Sequence, residues 1–187
     1  MAASKLGIGY VLSLSVADNV FMGGIMVTDA YGLPLEFRYT EPVRATKLQR
    51  VLYGDVLEKY IHGDVIGANL VGRLEQKPDL LLVADPDLLP VLEATGRKSA
   101  VLTHSRVAPL KDYGAQQDMT EEDFYLQLKD SGSPYRVRLA SSDAAKKAEI
   151  ARVLTDVGKT MDVLEPLARV EVAVRMLWDE APEAPPA

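Results

Sequence analysis

The chain has 187 residues, of which 48% are hydrophobic and 26% charged, and carries a formal net charge of −6 with a pI near 5.0. That balance is ordinary for folded globular chains and unlike disordered ones, and the length can bury a sizeable core without staples. The absence of cysteine excludes a disulfide scaffold, a thiolate zinc site, an iron–sulfur cluster and a cysteine nucleophile, while the acidic surface on average repels phosphate backbones and anionic lipid.

From Met1 to Gly9 there is one lysine and no long apolar run, so the segment does not read as a signal peptide. The longest apolar runs, such as Leu80 to Ala84, have the length of a buried strand and fall far short of a bilayer crossing, which makes cytoplasmic residence the expectation. Ile8, Tyr10, Leu12, Leu14 and Val16 alternate with small or polar partners and predict a strand, followed by a turn at Ala17 to Asn19. A second strand is predicted from Val20 to Thr28, with Gly23 and Gly24 marking a bulge or a close backbone approach. Its Phe21, Met22, Ile25 and Met26 are apolar in both registers, which asks for helices, or a partner, on both faces. Leu35, Phe37 and Tyr39 alternate with Glu36 and Arg38 in a third strand, completing an antiparallel meander.

From Arg44 the period becomes helical. Leu48, Val51, Leu52, Val56 and Tyr60 form one stripe, predicted to cover the sheet, until Gly63 breaks the helix. A second helix carries Val65, Ile66, Leu70, Val71 and Leu74. Leu80 to Ala84 reads as a strand covered on both faces, followed by an Asp85 cap, Pro86, a short helix distorted by Pro90, and a stop at Gly96. Ala100 to Leu102 starts a parallel strand reached by a right-handed crossover. Val107 to Gln117 reads as a loop, and Thr120 with Asp123 resembles a capping box opening a short helix through Leu128. Tyr135 to Leu139 predicts a last strand with Arg136 and Arg138 on one side. Two helices close the chain, one from Ser142 with Ile150, Val153, Leu154 and Val157 inward, the other from about Glu165 to Trp178. In the latter Val170, Val172, Val174 and Met176 exceed one stripe. The expected fold is a single mixed α/β domain over 1–179: an antiparallel N-terminal β-meander joined to a short parallel βαβ portion, with helices on the faces and a C-terminal helical pair. The Pro/Ala-rich tail, 180–187, is expected to be disordered.

Ligands of open α/β sheets gather beyond the carboxyl ends of parallel strands. That rule selects Asp85 after one strand and Thr103, His104, Ser105 and Arg106 after the other. Asp85, His104 and Arg106 could serve acid–base work on a small anionic substrate, although Asp85 before Pro86 reads most simply as a helix cap. Asp55, Glu58 and His62 share one helical face, a geometry that could hold a divalent metal, yet no partner cluster is evident and a solvated face is the simpler reading. No metal and no cofactor is therefore expected. The densest basic group, Arg38, Arg44, Lys47 and Arg50, is interleaved with Glu36 and Glu41 and has no aromatic platform. No phosphate-binding, dinucleotide-binding, zinc-protease or nucleophile-elbow motif is present.

The stretch from Gly23 to Leu70, containing GGIMVTDAYGLPLEFRYTEPVRATKLQRVLYGDVLEKYI and HGDVIGANL, resembles a group of uncharacterised bacterial hypothetical proteins and implies no catalytic residues. The meander followed by a helix also resembles roadblock and longin-type platforms, whose small sheet serves assembly. Absent motifs and apolar excess together lead to the expectation of a non-catalytic cytoplasmic binding or assembly module. It would act through protein–protein interaction or as a homo-oligomer, with nucleic acid disfavoured as a partner. The alternative is an enzyme or ligand-binding protein taking a small anionic substrate near Asp85, His104 and Arg106.

Overall fold

The structure is a computed structural model that describes residues 6–181. Its strands are β1 (Gly7–Ala17), β2 (Val20–Asp29), β3 (Pro34–Tyr39), β4 (Val43–Arg44), β5 (Leu80–Val83), β6 (Ser99–His104), β7 (Gln116–Asp118), β8 (Asp123–Leu126) and β9 (Tyr135–Leu139). All belong to one mixed sheet in the order β3-β2-β1-β5-β6-β9-β8-β7, with β4 beside β2. The meander pairs antiparallel, whereas β1, β5 and β6 run parallel, with Ile8 opposite Leu80 and Leu81 opposite Ser99. The expected joining of an antiparallel ribbon to a parallel βαβ portion is therefore what the chain forms. Asp79 ties the start of β5 to β1, because its carboxylate accepts from Gly7 N at 2.9 Å while its own N–H donates to the Gly7 carbonyl at 2.8 Å.

Two helical layers bury the sheet. On one face α5 (Ala144–Val157) and α6 (Glu165–Asp179) seat Ile150, Val153, Leu154, Val157, Val170 and Val174 against Ile8, Tyr10, Leu82, Leu102, Phe124 and Val137. On the other, Leu57, Ile61, Ile66, Leu70 and Val71 join Leu88, Leu89 and Leu92 over Val11, Phe21, Ile25, Leu81, Val83 and Val101. Phe21 and Ile25 thus meet one layer and Met22 and Met26 the other, so the chain's own helices account for the doubly apolar strand.

The helical segment after β4 departs from its sequence pattern. α1 (Lys47–Tyr53) is followed by a 3-10 turn, α2 (Leu57–Tyr60), a π-helical stretch Ile61–Ala68 and α3 (Asn69–Gly72). The predicted stripe of Leu48, Val51, Leu52, Val56 and Tyr60 is exposed, and α1 buries no residue. It holds its turn through a capping box between Thr46 and Gln49. Gly63 does not break the segment. It sits inside the π-helical stretch, where a β-carbon would come within 2.9 Å of Val91 Cγ2.

Two further expectations are corrected. Thr120 and Asp123 open a strand and not a helix: the Thr120 hydroxyl accepts from Asp123 N at 3.0 Å in a turn, and β8 follows. Gln116 and Gln117, the end of the stretch read as loop, instead pair with β8 and together with Asp118 form the sheet's last strand. α4 (Leu89–Ala94) is short, as Pro90 requires, and is entered through a 3-10 turn at Pro86–Leu88. In α6 Val170 and Val174 are buried while Val172 and Met176 are exposed. Residues 182–187 of the expected tail lie outside the described residues.

The Gly23–Gly24 pair marks close approach. The register shifts fall elsewhere, between Ser15 and Ala17 in β1 and between Val27 and Thr28 in β2. A β-carbon on Gly24 would stand 2.7 Å from Val174 Cγ2 and 3.1 Å from Val170 Cγ1, so α6 can lie on β2 only because the side chain is missing. Gly24→Ala is expected to lower stability by about 1–3 kcal/mol, the usual cost of overpacking. Adding Val174→Ala should recover part of that loss in urea denaturation; a double variant no more stable than Gly24→Ala would contradict the packing account.

Candidate functional site at the carboxyl ends of the parallel strands

β1 is longer than its parallel neighbour. Its pairing with β5 ends at Val11 opposite Val83, while its pairing with β2 continues to Ala17 opposite Val20. Strand alternation sends Leu12 towards α5 and α6 and Ser13 to the opposite face, beyond the end of β5. There Ser13 Oγ and His62 Nδ1 lie 2.6 Å apart. His62 comes from the π-helical stretch and packs edge-on against Phe21, with ring centroids 5.1 Å apart. Burial pushes its pKa below the ordinary 6.5, opposed by the charges of Asp85 and then Glu58. The ring is therefore neutral near neutral pH. With the proton on Nε2, Nδ1 accepts from the Ser13 hydroxyl.

The sequence candidates are distributed around this pair. Asp85 lies on the His62 side of the sheet and caps the following turn, accepting from Asp87 N at 2.9 Å. His104 lies on the other side. It lines a groove of about 420 Å³ with Leu12, Ala84, Leu102, Leu164 and Leu167, and its ring stands 5.1 Å from that of Tyr135. No hydrogen bond or ion pair among the described residues joins Asp85, His104 and Arg106. Of the second trio, Glu58 faces Arg50 at 3.7 Å and His62 turns to Ser13, and among the described residues no group of three His, Cys, Asp or Glu side chains converges as a metal site. Asp55 lies in the 3-10 turn, apart from that contact.

Three of the four side chains in the basic group are already engaged, Arg50 with Glu58 at 3.7 Å among them. Arg38 is held by Glu36 at 2.6 Å and Glu75 at 2.7 Å, and Arg44 lies over the Trp178 ring at 5.9 Å. Positive charge is available elsewhere. The helical layer bearing His62 covers β2, β1, β5 and β6 but leaves that face of β9 and β8 bare, where Arg136, Arg138, Tyr125 and Asp123 project. Arg136 grips Asp123 in a two-pronged contact, Nε to Oδ1 at 3.1 Å and Nη2 to Oδ2 at 2.9 Å, and Arg138 reaches the same carboxylate at 3.2 Å. Burial alone would raise the Asp123 pKa, but the hydrogen bond and charge of Arg136, with those of Arg138, hold it below the usual range. Sequence alternation found the two arginines. It could not pair Ser13 with His62, 49 positions apart: helical spacing singled out His62 with Asp55 and Glu58, but no local pattern points from it to Ser13.

No protein-family model matches this chain, and no curated protein matches it. Solved structures do. Human endonuclease V aligns with a TM-score of 0.64 at 15% identity, covering 92% of this chain and 84% of that one. Endonuclease V from Streptomyces avermitilis gives 0.62 at 14% identity, covering 94% and 82%. The Ciona intestinalis endonuclease V variant, in complex with a 23mer DNA containing an inosine followed by a ribo-adenosine, gives 0.56 at 11% identity, covering 94% and 86%. At such identities the likeness is one of fold.

These matches correct the sequence reading in three respects. The phrases between Gly23 and Leu70 pointed to uncharacterised bacterial proteins and assembly platforms, whereas the architecture is shared with endonuclease V structures over more than nine-tenths of the chain. The expectation of a non-catalytic module acting through protein–protein interaction or as an oligomer is corrected accordingly: the architecture is the one found in the endonuclease V structures. Nucleic acid cannot be disfavoured from net charge either, since the Ciona neighbour holds DNA on this architecture. The physical reason is that a charge of −6 is an average, and the pair Arg136 and Arg138 is local.

The burial of His62 has a measurable consequence. A ring whose pKa is depressed by folding contributes fully above its unfolded value near 6.5. That contribution is lost as pH falls, because unfolded chains take up the proton first. The stability difference between the protein and its His62→Gln variant, followed by urea midpoints from pH 8 to pH 5, should therefore shrink towards the acid side. A difference that is flat or grows on acidification would contradict a buried neutral imidazole.

Proposed function

We propose that this chain is an enzyme acting on nucleic acid, with its reacting centre at Ser13 and His62. The observation that carries the reading is the 2.6 Å contact between a hydroxyl and a neutral imidazole at the open end of the parallel strands. The endonuclease V architecture supports the substrate class. A fold alone does not assign chemistry, so the reaction has to come from the side chains present.

Phosphodiester cleavage is often assisted by paired metal ions held by clustered carboxylates. The donors here do not fit such a centre, since Asp85 is used as a helix cap, Glu58 is turned to Arg50, and His62 to Ser13. The serine and imidazole supply a different route. Ser13 Oγ attacks phosphorus as its proton passes to His62 Nδ1, forming an Oγ–P bond. The bond to the leaving sugar oxygen breaks, and that oxygen takes the proton from the imidazolium. Water then attacks the phosphoserine with the imidazole accepting its proton, the Oγ–P bond breaks, and the imidazolium returns that proton to Ser13 Oγ, which releases the phosphate end and restores the hydroxyl. The charges of Asp85 and Glu58 favour the imidazolium formed in between.

Labelled single-stranded and duplex DNA and RNA, incubated with the full chain with and without added magnesium or manganese, test this on denaturing gels. Cleavage is expected, reduced about 100-fold or more by Ser13→Ala and by His62→Asn, in line with the loss of a nucleophile and of a general base. The rate should rise through a pKa below 6.5 as the ring loses its proton. A Ser13→Ala variant as active as the parent chain would remove the serine from the reaction, and a parent chain that neither cuts nor binds any of these strands would remove nucleic acid as the substrate.

A further inference from the structure

We infer that Arg136 and Arg138 form a binding subsite for the sugar–phosphate backbone of a nucleic-acid strand, on the bare half of the sheet face that also carries Ser13 and His62. The inference rests on the nucleic-acid reading above and adds to it where a strand lies away from the reacting centre. Strand order fixes the geometry. Ser13 is on β1 and the arginines are on β9, with β5 and β6 between them. Three inter-strand steps separate the two by about 14 Å, at roughly 4.8 Å per step. The buried apolar cluster under that helical layer includes Val101 of β6 but no residue of β9 or β8.

The two guanidinium groups are built to receive an anion. Both are partly exposed, at 36% and 41% of their side chains, while the carboxylate that holds them is 12% exposed. Asp123 fixes their orientation from below and neutralises one of two positive charges, so the pair keeps a net positive charge and N–H donors that Asp123 does not use. Between them and the Asp85 loop is a recess of about 100 Å³ lined by Pro86, Val101, Thr103, Arg136 and Arg138. A phosphate seated there meets both guanidinium groups and lies on the path towards Asp85 and His62. The opposite flank of Arg138 is acidic, because Glu121 and Glu122 line the neighbouring recess with Asp123. Anions are therefore drawn to the Thr103 side of the pair and repelled from the other, which gives the strand a direction across the sheet.

The test is fluorescence anisotropy of the full chain with a labelled single-stranded 20-nucleotide DNA across a salt series. Arg138→Ala is the informative variant because it leaves the two-pronged contact between Arg136 and Asp123 in place. It should weaken binding about fivefold to tenfold at low salt and lower the slope of log affinity against log salt by about 0.7, the increment for one phosphate contact on a single strand. Glu122→Gln, which removes a negative charge without touching the arginines, should strengthen binding. If the parent chain binds and Arg138→Ala keeps its affinity within twofold with an unchanged salt slope, the subsite is refuted while the nucleic-acid reading stands. If the parent chain binds no strand at any salt, both fall together.

Discussion

The arrangement of this protein depends on three strands, β1, β5 and β6, lying parallel at the centre of the sheet and buried on both faces. Parallel pairing demands cover on each side, because the crossovers that create it must pack back onto the strands. Leu80, Leu81, Leu82 and Val83 are all buried, and each alternate residue belongs to a different helical layer. Once those strands are fixed, the unequal lengths of β1 and β5 leave Ser13 at an open strand end, and the helical segment that covers Val11 and Val83 carries His62 over it. The contact between Ser13 and His62 is in this sense a by-product of closing the core on one side.

The sheet's two halves do different work on the His62 face. Where β2, β1, β5 and β6 lie under helices, the exposed chemistry is confined to strand ends. Where β9 and β8 are bare, whole side chains stand on the surface, and the alternation that buries Tyr135, Val137 and Leu139 below sends Arg136 and Arg138 above. The same strand thus supplies core on one side and charge on the other. An acidic chain can keep a locally positive surface in this way, because two guanidinium groups sharing one carboxylate need no basic run in the sequence.

What could be read in advance follows from how local each cause is. The Leu80 and Ala100 strands were legible because a continuous apolar run bounded by turn residues is itself the signature of a doubly covered strand. The arginine pair was legible for the same reason, since period-two alternation is a local property. The stripe of Leu48, Val51, Leu52 and Val56 misled because periodicity tells which side of a helix is apolar and not whether the fold brings anything to that side. β8 was mistaken for a helix because a threonine hydroxyl accepting from the backbone three residues on serves a turn as well as a helix start. Ser13 and His62 meet only through tertiary folding, and their contact leaves no trace in either neighbourhood.

The π-helical winding of Ile61–Ala68 bears on how this segment tolerates changes in length. Such winding accommodates one residue more than an α-helix would place between the same two anchors. Losing a single residue there would let the stretch relax to ordinary winding while the flanking turns, with the apolar contacts of Leu57 and Leu70, keep their phase. Within the stretch the side chains would shift around the axis relative to both anchors, so the wider winding itself sets where His62 stands over Ser13.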